Sequence, residues 1–84
     1  MEIAVKVRNL IEDKIKEAGF ILDEVLYVEE DNNYYLRIII DKNGVIDVSD
    51  CVTVTRIVDP LLDEVDYIEN SYILDVCSKE KGCE

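Results

Sequence analysis

Carboxylates are the one reactive group this chain holds in quantity: twenty Asp and Glu stand against nine Lys and Arg, with three cysteines and no histidine. Without histidine the usual general base near neutral pH is missing, and with it the Ser-His and Cys-His pairs of nucleophilic catalysis. An enzyme made from what remains needs two carboxylates opposed in a cleft. In so acidic a chain two neighbouring carboxylates arise by chance, so no catalytic residue is assigned. Cys51, Cys77 and Cys83 form no C-x-x-C pair, which argues against a zinc site and a disulfide framework and leaves them as structural or incidental thiols. The acids at Glu29 to Asp31 and at Asp41 to Asp50 lack the ligand spacing of an EF-hand, so neither a metal nor a cofactor is expected.

The charge is unevenly placed. Residues 1–18 hold four acids and four bases and residues 79–84 two of each, so the whole excess of −11 falls between 19 and 78, with fourteen acids and three bases. Its densest part is Asp59, Asp63, Glu64, Asp66 and Glu69, which no base interrupts. A surface of one sign repels polyanions and steers basic partners toward it.

The element that must organise these groups is Tyr34 to Gly44, where β-branched and aromatic residues run to Ile40 and turn formers follow. Strand side chains alternate, so Leu36, Ile38 and Ile40 face a core while Tyr35, Arg37, Ile39 and Asp41 face the other way. The spacing of Ile3, Val7, Leu10, Ile11, Ile15 and Ala18 predicts a first helix, closed by Gly19. A strand is expected from Phe20 to Glu30, but the apolar run Val25 to Val28 hides its buried face. Asp31-Asn32-Asn33 returns it as a hairpin.

Ser49 or Asp47 caps a second helix, whose stripe is Cys51, Val54, Val58, Leu61, Leu62 and Val65, with a kink or an irregular last turn expected at Pro60. Tyr72 to Ser78 alternates as a final strand. The order αββαβ gives an α+β domain over residues 1–78, two layers deep, with both helices on one face of a three-stranded mixed sheet. Residues 79–84 are read as a polar tail or the start of a linker to a second domain. No repeat or low-complexity run interrupts the chain, and no apolar targeting segment opens it, so a cytoplasmic location without membrane contact is expected.

Several ordered pieces resemble one family. Gly19-Phe20 with Leu22, Val25 and Tyr27, Leu36-Arg37-Ile38 through Ile40-Asp41-Lys42, Asp50-Cys51 with Val54 and Arg56, Leu62-Asp63, Asp66 with Ile68, and Tyr72, Leu74, Val76 and Ser78 are together similar to the N-terminal domain of the bacterial ribosome maturation factor RimP. The resemblance implies a KH-like αββαβ domain. In the family it precedes a small SH3-like barrel, which these 84 residues do not contain. The chain departs from the family after the last strand, with Cys77-Ser78-Lys79-Glu80-Lys81 in place of Ser-Ser-Pro-Gly-Leu. The resemblance also implies that Leu26 points outward, leaving Leu26, Val28, Tyr35, Ile39 and Ile73 uncovered among Arg37, Asp41 and Asp75.

The function implied is assembly of the small ribosomal subunit without catalysis, through contact with a basic ribosomal protein near the decoding centre. Candidate partner-binding residues are Arg37, Ile39, Asp41, Arg56, Asp63, Glu64, Asp66 and Asp75. Two other functions stand beside it. A KH-like domain clamping small-subunit rRNA needs a Gly-x-x-Gly loop and bases near phosphates. Gly19, Gly44 and Gly82 form no such loop, and the middle of the chain has the wrong sign. A dimerisation or scaffold domain would use the outer sheet face or an open strand edge.

Overall fold

The computed structural model describes residues 2–65, 68 and 71–79. Its elements follow the order helix α1 (Ile3–Glu17), strand β1 (Ile21–Glu30), strand β2 (Asn33–Asp41), helix α2 (Val48–Asp63) and strand β3 (Tyr72–Ser78). The sheet order is β1-β2-β3, with β1 antiparallel and β3 parallel to the central β2. Both helices cover one face, so the domain is the expected two-layer α+β fold.

Leu36, Ile38 and Ile40 have no exposed surface at all, and they meet Val7, Ile11 and Ile15 of α1 and Val54, Val58 and Leu62 of α2 in one core. Full burial of each such side chain is worth about 1.5–3 kcal/mol, so this row is the main source of cohesion between the layers. Ala18, expected in the buried stripe of α1, is exposed, because the helix has already ended. Gly19 takes φ +91°, its N–H bonds the Lys16 carbonyl, and the Phe20 N–H bonds the Ile15 carbonyl. That pair of bonds is a Schellman closure, and it turns Phe20 back into the core.

Asp31 and Asn32 both adopt positive φ, at 50° and 66°. This is the turn geometry that matches the twist of a two-residue hairpin, and Glu30 and Asn33 pair across it. Of the two proposed caps for α2 it is Asp47 that serves: its side chain accepts the Asp50 N–H, and the Asp50 carboxylate accepts the Asp47 N–H. The helix runs through Pro60 to Asp63 and ends with the Val65 N–H on the Leu62 carbonyl, three residues back. Pro60 leaves the Arg56 carbonyl without its helical donor, and both residues are exposed, where water replaces it.

β1 contains what the sequence did not announce. Its pairing with β2 shifts between Leu22 and Glu24, so Asp23 is an extra, bulged residue. The carbonyls of Leu22 and Asp23 are taken by the guanidinium of Arg8, at 3.2 and 3.3 Å, and Glu12 steadies the same group at 3.4 Å. Lys79 reaches across the sheet to the Asp23 carboxylate at 3.4 Å.

Cys51 is half-buried, and Cys77 is disulfide-bonded, which corrects the expectation that all three cysteines are structural or incidental thiols. The other half of that bond, and the tail from residue 80 on, lie outside the described residues.

Tyr27 and Tyr34 stack near the hairpin, centroids 5.4 Å apart and planes 7° from parallel, and the Tyr27 hydroxyl is buried with no hydrogen-bond partner among the described residues. A buried hydroxyl without a partner loses its hydration and gains nothing in return. Tyr27→Phe is expected to leave stability unchanged or raise it by up to about 1 kcal/mol, measured as the urea midpoint. A loss larger than that would mean the hydroxyl is satisfied after all.

Candidate functional site

The eight candidate residues divide between two surfaces that face opposite ways. Arg37, Ile39, Asp41 and Asp75 lie on the sheet face away from the helices, since their register partners Leu26, Glu24, Ile21 and again Arg37 alternate with the buried row. Arg56, Asp63 and Glu64 lie on the exposed side of α2. Asp66, the eighth, lies outside the described residues.

On the sheet face Arg37 is already committed to two carboxylates. Arg37 donates two hydrogen bonds to the Glu30 carboxylate, at 3.0 and 2.9 Å, holds Asp75 at 3.7 Å, and lies 5.1 Å from the centroid of the Tyr35 ring. The Glu30 contact is a two-pronged arginine–carboxylate fork, which fixes geometry as well as charge. It holds the Glu30 carboxyl below its usual pKa, chiefly through that hydrogen bond, and raises Arg37 for the same reason. The Asp41 carboxylate accepts the Lys42 N–H at 2.9 Å. Ile39 and Leu26 are half-buried, whereas Ile21 and Ile73 are about half exposed, at 54% and 49%.

At the start of α2 the same pattern holds. Lys42 reaches Asp50 at 2.8 Å, and that bond, with the Asp47 backbone N–H, keeps the Asp50 carboxyl below its usual pKa. Arg37 and Lys42 are therefore both spent inside the domain, whereas Arg56, the third base between residues 19 and 78, makes no ion pair among the described residues.

The far end of α2 is different. Asp59, Asp63 and Glu64 are exposed and make no ion pair among the described residues, and no base stands in the last turn. Their field is felt by a neighbour: burial first, and then the charges of Asp59 and Asp63, hold the Tyr72 hydroxyl above the usual tyrosine pKa. A negative end of a helix with added carboxylates is a concentrated negative potential. Among the described residues no three Asp, Glu, Cys or His side chains converge to hold a metal ion, and no helix is long and apolar enough to cross a membrane.

Residues 10–79 match the sequence model of the RimP N-terminal domain. The chain belongs to that family. The RimP family is one of ribosome maturation factors, so the likeness carried by Gly19-Phe20, the Leu36 to Lys42 strand and Asp50-Cys51 rests on membership over most of the chain. Within the RimP domain the structure adds two residues to which sequence reasoning gave no role, Glu30, which engages the candidate Arg37, and Lys42, which engages Asp50. Glu30 stands seven residues from Arg37, and only the hairpin brings them together, so no periodic signal marks the pair.

Arg37 keeps its charge at all accessible pH, so the pH dependence of this network comes from its acids. Because the Glu30 pKa is lowered on folding, its contribution is complete above the ordinary value of about 4.3 and is lost as pH falls through the folded value. Glu30→Gln is expected to be less stable than the parent at pH 7, with the gap closing as pH drops below about 4. Urea midpoints across pH 2 to 7 test this, and a gap that stays constant would remove the ion pair from the account.

Proposed function

We propose that this domain is a non-catalytic binding module of small-subunit maturation, which docks on a basic ribosomal protein near the decoding centre. Membership of the RimP N-terminal domain family supplies the setting. The observation that carries the choice of partner is the acidic end of α2, where Asp59, Asp63 and Glu64 make no ion pair among the described residues, in a domain whose bases at Arg37 and Lys42 are already neutralised. Exposed charge that the fold does not use steers an oppositely charged partner, while a phosphate backbone would be repelled. The protein acts in the cytoplasm, with no cofactor and no metal. In a full-length family member an SH3-like domain accompanies it.

Amide substitution of the three acids leaves the core untouched and removes the steering field. The triple change Asp59→Asn, Asp63→Asn, Glu64→Gln is expected to slow association with purified basic small-subunit proteins several-fold at low salt and to flatten the salt dependence, with dissociation little changed. Stopped-flow or surface-plasmon kinetics give both rates. Equal association rates for the variant and the parent would exclude steering by this cluster, and tight binding of the parent to protein-free rRNA at physiological salt would transfer the function to RNA.

A further inference from the structure

The outward stripe of α2 changes character along its length. Val48 is 79% exposed and Val52 44%, and Val45 just before the helix is 69% exposed. Val48 and Val52 lie at the N-terminal end of α2, and Val45 in the segment that leads into it. Continuing from Val48 and Val52 in steps of three and four, the same stripe reaches Arg56, Asp59 and Asp63, all exposed. An apolar head and an acidic foot thus lie on a single line about 22 Å long, given the 1.5 Å rise of a helix. The buried stripe, Val54, Val58 and Leu62, is separate from it and fully used by the core.

The geometry points to this stripe as the docking surface of the domain, and to its occupant as a protein segment that carries a branched apolar anchor and, roughly 16 Å along, lysine or arginine side chains. The inference deepens the small-subunit reading above and rests on it. Charge complementarity chooses among occupants. A second copy aligned in parallel would set Asp59 and Asp63 against themselves, and aligned antiparallel it would bury carboxylates against valines, so neither arrangement compensates the desolvated charge. Nucleic acid would meet the same two carboxylates at the negative end of the helix dipole. Only a basic protein segment satisfies both ends, with the valines supplying apolar contact and the acids setting register.

The outer sheet face is the rival surface, and its charges argue against it. Arg37 is already engaged by Glu30 and Asp75, so a partner there would have to break a fork before gaining a contact. On α2 the Arg56, Asp59 and Asp63 charges have no partner to give up among the described residues.

The test uses salt-washed small ribosomal subunits, and separately their purified basic proteins, as immobilised probes. Val48→Ser/Val52→Ser removes the apolar head at exposed positions, and Ile21→Ser/Ile73→Ser does the same on the sheet face. Unfolding midpoints confirm that both pairs remain folded. The α2 pair is expected to weaken binding about tenfold, mainly by faster dissociation, and the sheet pair to bind like the parent. The opposite ranking overturns the assignment to α2 while leaving the ribosomal reading intact. Failure of the parent to bind either probe overturns the ribosomal reading itself and this inference with it. Self-association of the parent that Val48→Ser/Val52→Ser abolishes, or binding to protein-free rRNA that depends on the same valines, would replace the basic protein as occupant.

Discussion

The pairing register of β2 is the constraint on which the rest depends. It is bonded on both sides, antiparallel to β1 and parallel to β3, so its alternation sets the faces of all three strands. A slip of β2 by one residue against its neighbours would turn Leu36, Ile38 and Ile40 toward solvent and bring Arg37 into the core. The two faces therefore specify the same register by different means. The inner row does so by complete burial, and the outer row by Arg37, which grips Glu30 from β1 and Asp75 from β3.

Much of this was legible because the relevant signals are local. In β2 the single charge of Arg37 within the apolar run Leu36 to Ile40 tells the outward face from the inward one, Gly19 marks a left-handed closure, and Asp31-Asn32 marks positive φ. β1 was not legible, and the bulge explains why. Leu22 and Val25 are both buried although they stand three apart, a spacing that simple alternation forbids. Asp23 resets the parity between them, and the group that makes the bulge tolerable is Arg8, fourteen residues away in another element. No window along the chain contains both the defect and its remedy.

The candidate site was legible in sign but not in availability. Charge counts locate the acidic excess between residues 19 and 78, yet they cannot distinguish Asp50 and Asp75, which are held by bases, from Asp59 and Asp63, which meet no base among the described residues. Pairing across a hairpin or a turn is a property of the fold. The exposed valines were invisible for a related reason. Periodicity in α2 selects the stripe that fits a core, and Val48 and Val52 fall on a second stripe whose residue type alone suggests burial. Cys77 shows the same limit, since its bond depends on where the chain goes after β3.

The two helices of this domain treat their C-terminal ends in opposite ways. α1 places Lys14 and Lys16 in its last turn, where positive charge meets the negative pole of the helix and contributes about 0.3–1 kcal/mol per favourable placement at low salt. α2 places no base there, ends on Asp63 and Glu64, and gives up a backbone hydrogen bond at Pro60. Its other end is well made, with a reciprocal cap between Asp47 and Asp50 and the Lys42 bridge. The same sequence thus uses the favourable charge arrangement in one helix and the unfavourable one in the other, and the core row of Val54, Val58 and Leu62 holds α2 in place regardless. Folding selects against carboxylates at such an end. Their presence here is not explained by the stability of α2 itself, which rests on the core row and on the reciprocal cap at its other end.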